Sequence, residues 1–139
     1  MRVLAVDPGA KRIGIALSDP KGIVASPLAV MIHISRPLDA KKIAELASEH
    51  GVGLIVMGQS LDEEGLPTFE GRRAARLAAA LRDQTEIPVR LWDEELSTSI
   101  ARQTAQDLSV SRKKRKSHLD KIAATVILQS YLDANQLPG

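Results

Sequence analysis

The first apolar segment of the chain, Val3 to Val6, contains no polar position and stops on Asp7. So short an unbroken run predicts a strand buried on both faces, at the centre of a sheet. Residues 12–19 alternate instead. Ile13, Ile15 and Leu17 face one way and Gly14, Ala16 and Ser18 the other, which predicts a strand with one larger-residue face. A third strand is predicted over 22–31. The turns between these strands, at Pro8-Gly9 and Asp19 to Gly22, are too short for crossovers, so the three should be antiparallel neighbours.

The period then becomes helical. Ala40, Ile43, Ala44 and Ala47 predict a helix over 38–50 with Gly51 as its stop. Leu54 to Met57 predicts a second buried strand within 53–58. Ala74, Leu77, Ala78 and Leu81 form the stripe of a helix over 68–84, entered near Pro67 and Thr68, with Arg72, Arg73, Arg76 and Arg82 mostly off the stripe. A fifth strand is expected over 87–92 and a helix over 97–108 capped by Ser97. A last helix is expected over about 119–134, with Leu119, Ile122, Ala123 and Val126 on one side. The order is βββαβαβα with one further helix. The strand–helix alternation from 22 to 92 requires parallel pairings joined by right-handed crossovers. This is an α/β fold, a mixed five-stranded sheet flanked by helices. No repeat or linker divides the chain, so a single domain over 1–139 is expected.

Acidic residues stand where such a sheet exposes its chemistry. Asp7 closes the central strand, and a carboxylate there should emerge at the sheet edge, because burying its charge unpaired is costly. Read alone, Asp7-Pro8-Gly9 is equally well a turn. Asp93-Glu94-Glu95 directly follows the fifth strand. If that strand runs parallel to the first, its end shares an edge with Asp7. Asp120 begins the last helix, where an aspartate also suits the helix dipole without any further role. Together the three sites describe an oxygen-donor cluster for hard divalent cations such as Mg²⁺ or Mn²⁺. One or two such ions could activate water and stabilise the leaving oxygen of a phosphodiester. No serine–histidine pair offers an equally coherent arrangement. His33 and His50 read as surface or helix-end residues, and His118, two residues before Asp120, as a solvated helix start or, less simply, a contact to a phosphate or leaving group. Gly58, Gln59 and Ser60 leave the fourth strand at the same edge, as a substrate loop or a plain one. Asp62-Glu63-Glu64 has the wrong sign for a phosphate cradle.

Charge distribution says more than net charge, which is only +2. Arg112-Lys113-Lys114-Arg115-Lys116 places five consecutive cations shortly before Asp120. A solvated loop is the plain reading; a mobile clamp on a phosphate backbone is the functional one. Aromatic residues make up 2% of the chain, so the core must be aliphatic and base stacking is not expected near the basic run. Cysteine is absent, which excludes disulfides and thiolate metal sites and suits the cytoplasm. No signal peptide or membrane-spanning stretch is expected.

The run Met1 to Ala16, then Ile55-Val56-Met57-Gly58, Asp93 to Thr98 and Asp120 to Gln129, resembles the YqgF/RuvX proteins, a family of Holliday-junction-resolvase-like nucleases. Each motif is short, but their order and spacing across nearly the whole chain are specific. The resemblance implies a ribonuclease-H-like fold and metal-dependent nuclease chemistry. It further implies maturation of the 5′ end of 16S ribosomal RNA, with resolution of DNA junctions as an older inference. By position, Asp7, Glu94 and Asp120 match the family's carboxylates. Lys11, Arg12, Ser97 and Thr98 lie in the same motifs and join Arg112 to Lys116 as expected nucleic-acid contacts. The implied partners are structured RNA or branched DNA, and ribosomal precursor particles. Junction resolution would need two active sites and hence a homodimer. The family usually has arginine after the matching glutamate, where this chain has Glu95, so one cationic substrate contact is not carried over. Its Gly-Leu-Pro-Leu-Asn-type loop appears here as Gly58-Gln59-Ser60-Leu61-Asp62. Two other classes stay open at this point. One is a non-catalytic nucleic-acid-binding accessory factor in rRNA processing. The other is an actin-like phosphotransferase fragment, suggested by the Asp-x-Gly turn and the early β-meander.

Overall fold

The computed structural model describes residues 1–94 and 112–135, with only the backbone described from 112 to 121. Strands β1 (Arg2–Pro8), β2 (Arg12–Ser18) and β3 (Ala25–Ile32) form an antiparallel meander. Helix α1 (Arg36–Glu49), strand β4 (Val52–Gln59), helix α2 (Phe69–Arg82) and strand β5 (Val89–Asp93) follow, and helix α3 (Arg112–Ala134) closes the described chain. The sheet order is β3-β2-β1-β4-β5. β1 is central and parallel to β4, and β4 is parallel to β5. The mixed five-stranded sheet expected from the hydrophobic pattern is therefore present.

β1 is apolar throughout because it has a core on each side. Leu4 and Val6 pack with Ile13, Ile15, Ile55, Met57 and the stripes of α1 and α2. Val3 and Ala5 point the other way, into a second core with Ala16, Leu54, Val56 and the α3 residues Ala124, Ile127, Leu128, Tyr131 and Leu132. Fully burying side chains such as Leu4, Ile55 or Met57 contributes roughly 2 kcal/mol each. This two-sided packing fixes the register in which β1, β4 and β5 end together: Val6 lies opposite Met57, and Gln59 opposite Asp93. β3 runs in the same direction as β1, so its end at Ile32 reaches that edge as well, beside the start of β2 at Arg12.

Four expectations need correction. β3 begins at Ala25, not at 22, because the Asp19 carboxylate accepts the N–H groups of Ile23 (2.7 Å) and Val24 (2.9 Å) and holds them in a turn. α1 begins at Arg36, since Ser35 caps it through Leu38 N–H (3.3 Å) and Pro37 is tolerated in a first turn. The last helix begins at Arg112, so Arg112 to Lys116 form its opening turns and not a loop. Lysine and arginine are good helix formers, and neither glycine nor proline interrupts 112–134. Finally, the buried stripe of α3 is Ala124, Ile127, Leu128, Tyr131 and Leu132, whereas Ile122, Ala123 and Val126 are only half-buried. Both sets have helical spacing; the buried one carries the bulkier side chains at its far end, Tyr131 and Leu132, and these fill the space over β1 and β4. The helix expected over 97–108 lies outside the described residues.

Candidate active site

The alternation of β1 continues past its core residues. Val3 and Ala5 face α3, so Asp7, two residues further on, belongs to the same face. The turn after it is tight: Gly9 N–H donates to Arg12 C=O (3.0 Å), and a Cβ on Gly9 would come within 2.2 Å of that oxygen. Only glycine fits there, which is why the carboxylate of β1 is followed so closely by the return strand.

Glu94 follows β5, and its N–H donates to Gln59 C=O (3.1 Å), extending the β4–β5 ladder by one bond. Between β1 and β5 stands Gly58. A Cβ there would lie 2.8 Å from Glu94 Oε2 and 2.8 Å from Ile127 Cδ1. The absent side chain leaves the room in which the Glu94 carboxyl turns back over the sheet toward Asp7. The two carboxyl groups share a hydrogen bond. Burial, the Asp7 charge and that bond push the Glu94 carboxyl up from its ordinary 4.5 to about 7, with Asp93 and Glu70 adding to the effect. Two carboxylates this close cannot both ionise easily, so the pair retains a proton near neutrality. A hard divalent cation relieves the same repulsion, and an all-oxygen donor pair at a partly open edge suits one. The pair therefore fits a Mg²⁺- or Mn²⁺-type ion. Among the described residues no three acidic or histidine side chains group as a metal site.

The structure thus brings two of the three expected acids together. Asp120 lies on α3 two helical turns before Ile127, and its side chain is outside the described residues. Lys11, in the turn between β1 and β2, and Arg12, the first residue of β2, are exposed at the same edge. Ser97 and Thr98 lie outside the described residues, as do the side chains of Arg112, Lys113, Lys114, Arg115 and Lys116. Gly58 and Gln59 belong to β4 itself. The Gln59 side chain is turned inward, Nε2 donating to Gly71 C=O (3.1 Å), while Ser60 C=O accepts from Thr68 N–H (3.1 Å). These bonds tie the end of β4 to the start of α2. His50 caps the end of α1, as expected of a helix-end residue.

Sequence reasoning missed two features. Glu70, in the first turn of α2, adds its charge to the field at Glu94. His33 is not a lone surface histidine: its Nδ1 is hydrogen-bonded to the carboxylate of Asp39, which is buried in the first turn of α1. A histidine six residues before an aspartate carries no spacing signal, because the two meet only through the β3–α1 corner.

Residues 1–134 match the family model described as RuvX, Holliday junction resolvase. The chain belongs to the RuvX family. A relative from Halalkalibacterium halodurans is 42% identical over 139 residues, covering 99% of both chains. One from Geobacillus kaustophilus is 41% identical over 138 residues, covering 98% of this chain and all of its own. Both carry the name "Putative pre-16S rRNA nuclease". Among solved structures, RuvC of Thermus thermophilus aligns with a TM-score of 0.60 at 13% identity, covering 96% of this chain and 95% of that one. The fowlpox virus resolvase bound to Holliday junction DNA aligns with a TM-score of 0.54, also at 13% identity, covering 96% and 98%. At such identities the likeness is one of fold, which is ribonuclease-H-like.

Membership of the RuvX family gives Gly58 a testable place. Gly58→Ala should push the Glu94 carboxyl out of place, because the added Cβ would lie 2.8 Å from Glu94 Oε2 and 2.8 Å from Ile127 Cδ1, while the fold adapts through those two flexible side-chain ends. The expected result is a loss of cleavage of about tenfold or more, from the sensitivity of catalysis to ångström-scale misplacement, with a small change in melting temperature. Parallel activity and thermal-melt measurements check this; a large loss of stability with the folded fraction fully active would contradict it.

Proposed function

We propose that the chain is a single-domain, divalent-metal-dependent nuclease that cleaves phosphodiester bonds of structured nucleic acid, in maturation of the 5′ end of 16S ribosomal RNA. The observation that carries this reading is the placement of the Asp7 and Glu94 carboxyl groups together at the ends of β1 and β5, with Glu94 Oε2 seated over Gly58. The names of the relatives supply the RNA substrate, and the likeness to resolvases adds branched DNA as a second one.

Asp7, Glu94 and Asp120 are the proposed metal ligands. When bound, one or two Mg²⁺ or Mn²⁺ ions would supply an activated water and stabilisation of the leaving oxygen. The protein residues have separate tasks. Asp7 is fixed by the central strand. Glu94 is aimed by the bond to Gln59 and by the space above Gly58, and the proton shared between them must leave before both can act as ligands. Lys11, Arg12, Ser97, Thr98 and the cations from Arg112 to Lys116 are proposed to hold the phosphate backbone. Among the described residues no helix is long and apolar enough to cross a membrane. The protein is proposed to act in the cytoplasm, in contact with ribosomal precursor particles; action on a junction would require a homodimer.

The test is incubation of the purified protein with precursor 16S rRNA and with a four-way DNA junction, side by side in Mn²⁺, with the product ends mapped. Cleavage at the mature 5′ end supports the proposed reaction. Cleavage confined to the junction transfers the activity to DNA, and cleavage of neither overturns the reading.

The basic run gives a second prediction. Replacing Lys113, Lys114 and Arg115 with alanine preserves helix propensity. Affinity for RNA and for junction DNA should fall on both, because phosphate contacts carry no sequence information. The plot of log affinity against log salt should flatten by about 0.7 to 0.9 for each phosphate no longer neutralised. An unchanged slope on both substrates would show that the run is merely solvated.

A further inference from the structure

On the opposite face of the β1 end from Asp7 lies a cavity of about 220 Å³, lined by Pro8, Gly9, His33, Arg36, Asp39 and Arg73, among others. From its lining we propose that this cavity is a second binding site, for a phosphate group of the nucleic-acid backbone flanking the cleaved bond. The inference rests on the nuclease reading for the identity of the polymer, but not for the chemistry of the pocket.

Three cationic or cation-capable side chains converge from three elements. Arg36 opens α1 and is exposed; Arg73 comes from α2; His33 comes from the corner after β3. The carboxylate in the lining does not oppose an anion in the usual way. Asp39 has a side chain only 4% exposed, and its oxygens are engaged by His33 Nδ1 and by Ile34 N–H (3.1 Å). That bond fixes the imidazole ring and leaves Nε2 as its one uncommitted nitrogen, on a residue one-third exposed. Arg73 bonds Glu70 (3.2 Å) in an exposed i,i+3 pair. Pairs of that kind are weak, so the guanidinium can turn to a stronger phosphate acceptor. The pocket also has a fixed relation to the candidate catalytic edge. Pro8 and Gly9 form its wall and directly follow Asp7. His33 N–H donates to Lys11 C=O (2.9 Å), so the corner bearing the histidine is pinned to the exposed residues Lys11 and Arg12. A backbone crossing the end of β1 would leave the acidic pair on one face and meet cations on the other. No aromatic residue lines the cavity, which suits a phosphate and not a base.

The test compares wild type with an Arg36→Ala/Arg73→Ala double variant and an Arg36→Lys/Arg73→Lys control, all in EDTA so that binding is read without cleavage. Inorganic phosphate is titrated while the His33 ring signals are followed by NMR. Affinity for a short single-stranded RNA is measured against salt. The expected results are a saturable His33 shift in wild type that is abolished in the alanine variant, and a salt slope shallower by about 0.7 for the one phosphate no longer neutralised. The lysine control should keep the wild-type slope. Absence of any phosphate response in wild type overturns the site. An abolished phosphate response with an unchanged RNA slope also overturns the proposal as stated, and assigns the pocket to free phosphate. Cleavage by wild type in Mn²⁺, run separately, reports on the nuclease reading, so failure of the pocket and failure of the reading are distinct results.

Discussion

Asp7→Asn is expected to lower the rate of precursor cleavage by about 10²-fold or more while the protein stays folded. Asparagine keeps the shape of the side chain at the end of β1 and removes the charge that would hold a divalent ion. The core residues before it, Val3 to Val6, are untouched, so the β1–β4 pairing should persist. The substitution also has a signature that a merely structural role would not produce. The Asp7 charge is the second cause, after burial, of the raised Glu94 carboxyl. Removing it should let the Glu94 titration fall from about 7 toward its ordinary 4.5, read by NMR of the glutamate carboxyl. A folded Asp7→Asn protein that cleaves near the wild-type rate would remove Asp7 from the site.

The second large effect is on stability. Glu94 holds its proton more tightly in the folded protein than in the unfolded chain, so its charge opposes folding once it ionises. Between its ordinary 4.5 and about 7 the unfolded state binds fewer protons than the folded one, and stability contributed at this site falls as pH rises through that window. Without metal, Glu94→Gln should therefore be more stable than wild type at pH 8 and indistinguishable from it near pH 4. Because Glu94 is only half-buried, the full shift must be discounted for solvent screening, which leaves on the order of 1–2 kcal/mol, or a few degrees in melting temperature. Mn²⁺ should raise the wild-type melting temperature at pH 8 and raise that of the variant less. Thermal melts across pH in EDTA and in Mn²⁺ decide this. A Glu94→Gln variant less stable than wild type at pH 8 in EDTA would mean that the carboxylate is paired with a cation of the protein and not opposed by Asp7.

Much of the fold is legible in the sequence because the strands near the site leave strong local patterns. Val3 to Val6 has no polar position because it is covered on both faces, and Ile13, Ile15 and Leu17 alternate because β2 places its large residues on one. The stripe Ala74, Leu77, Ala78, Leu81 could face only one core, and all four are buried. The last helix is harder. Ile122, Ala123 and Val126 form as good a stripe as Ala124, Ile127 and Leu128, and only the space over β1 and β4 selects between them. The charge run reads as a loop because charge suggests solvation, while helix propensity there depends on lysine and arginine stems and the lack of a breaker.

The candidate site is legible in part for the same reason. Asp7 and the acids after β5 end strands whose parallel arrangement can be inferred, so their common edge follows. Choosing Glu94 over its neighbours comes from family resemblance; the physical basis is the empty space above Gly58, a contact between residues 36 positions apart that no local pattern encodes. The His33–Asp39 pair is invisible for a similar reason. Its members belong to a strand corner and a helix start, and only the turn of the chain at Ser35 brings them together.

The most direct test of the central claim is the metal dependence of cleavage by the unaltered protein. Precursor 16S rRNA is incubated with wild type in EDTA and then across a Mn²⁺ titration, and the rate of 5′-end product formation is followed. No cleavage is expected in EDTA, and the rate should rise and saturate with Mn²⁺. Cleavage at the same rate in EDTA as in saturating Mn²⁺ would contradict the claim.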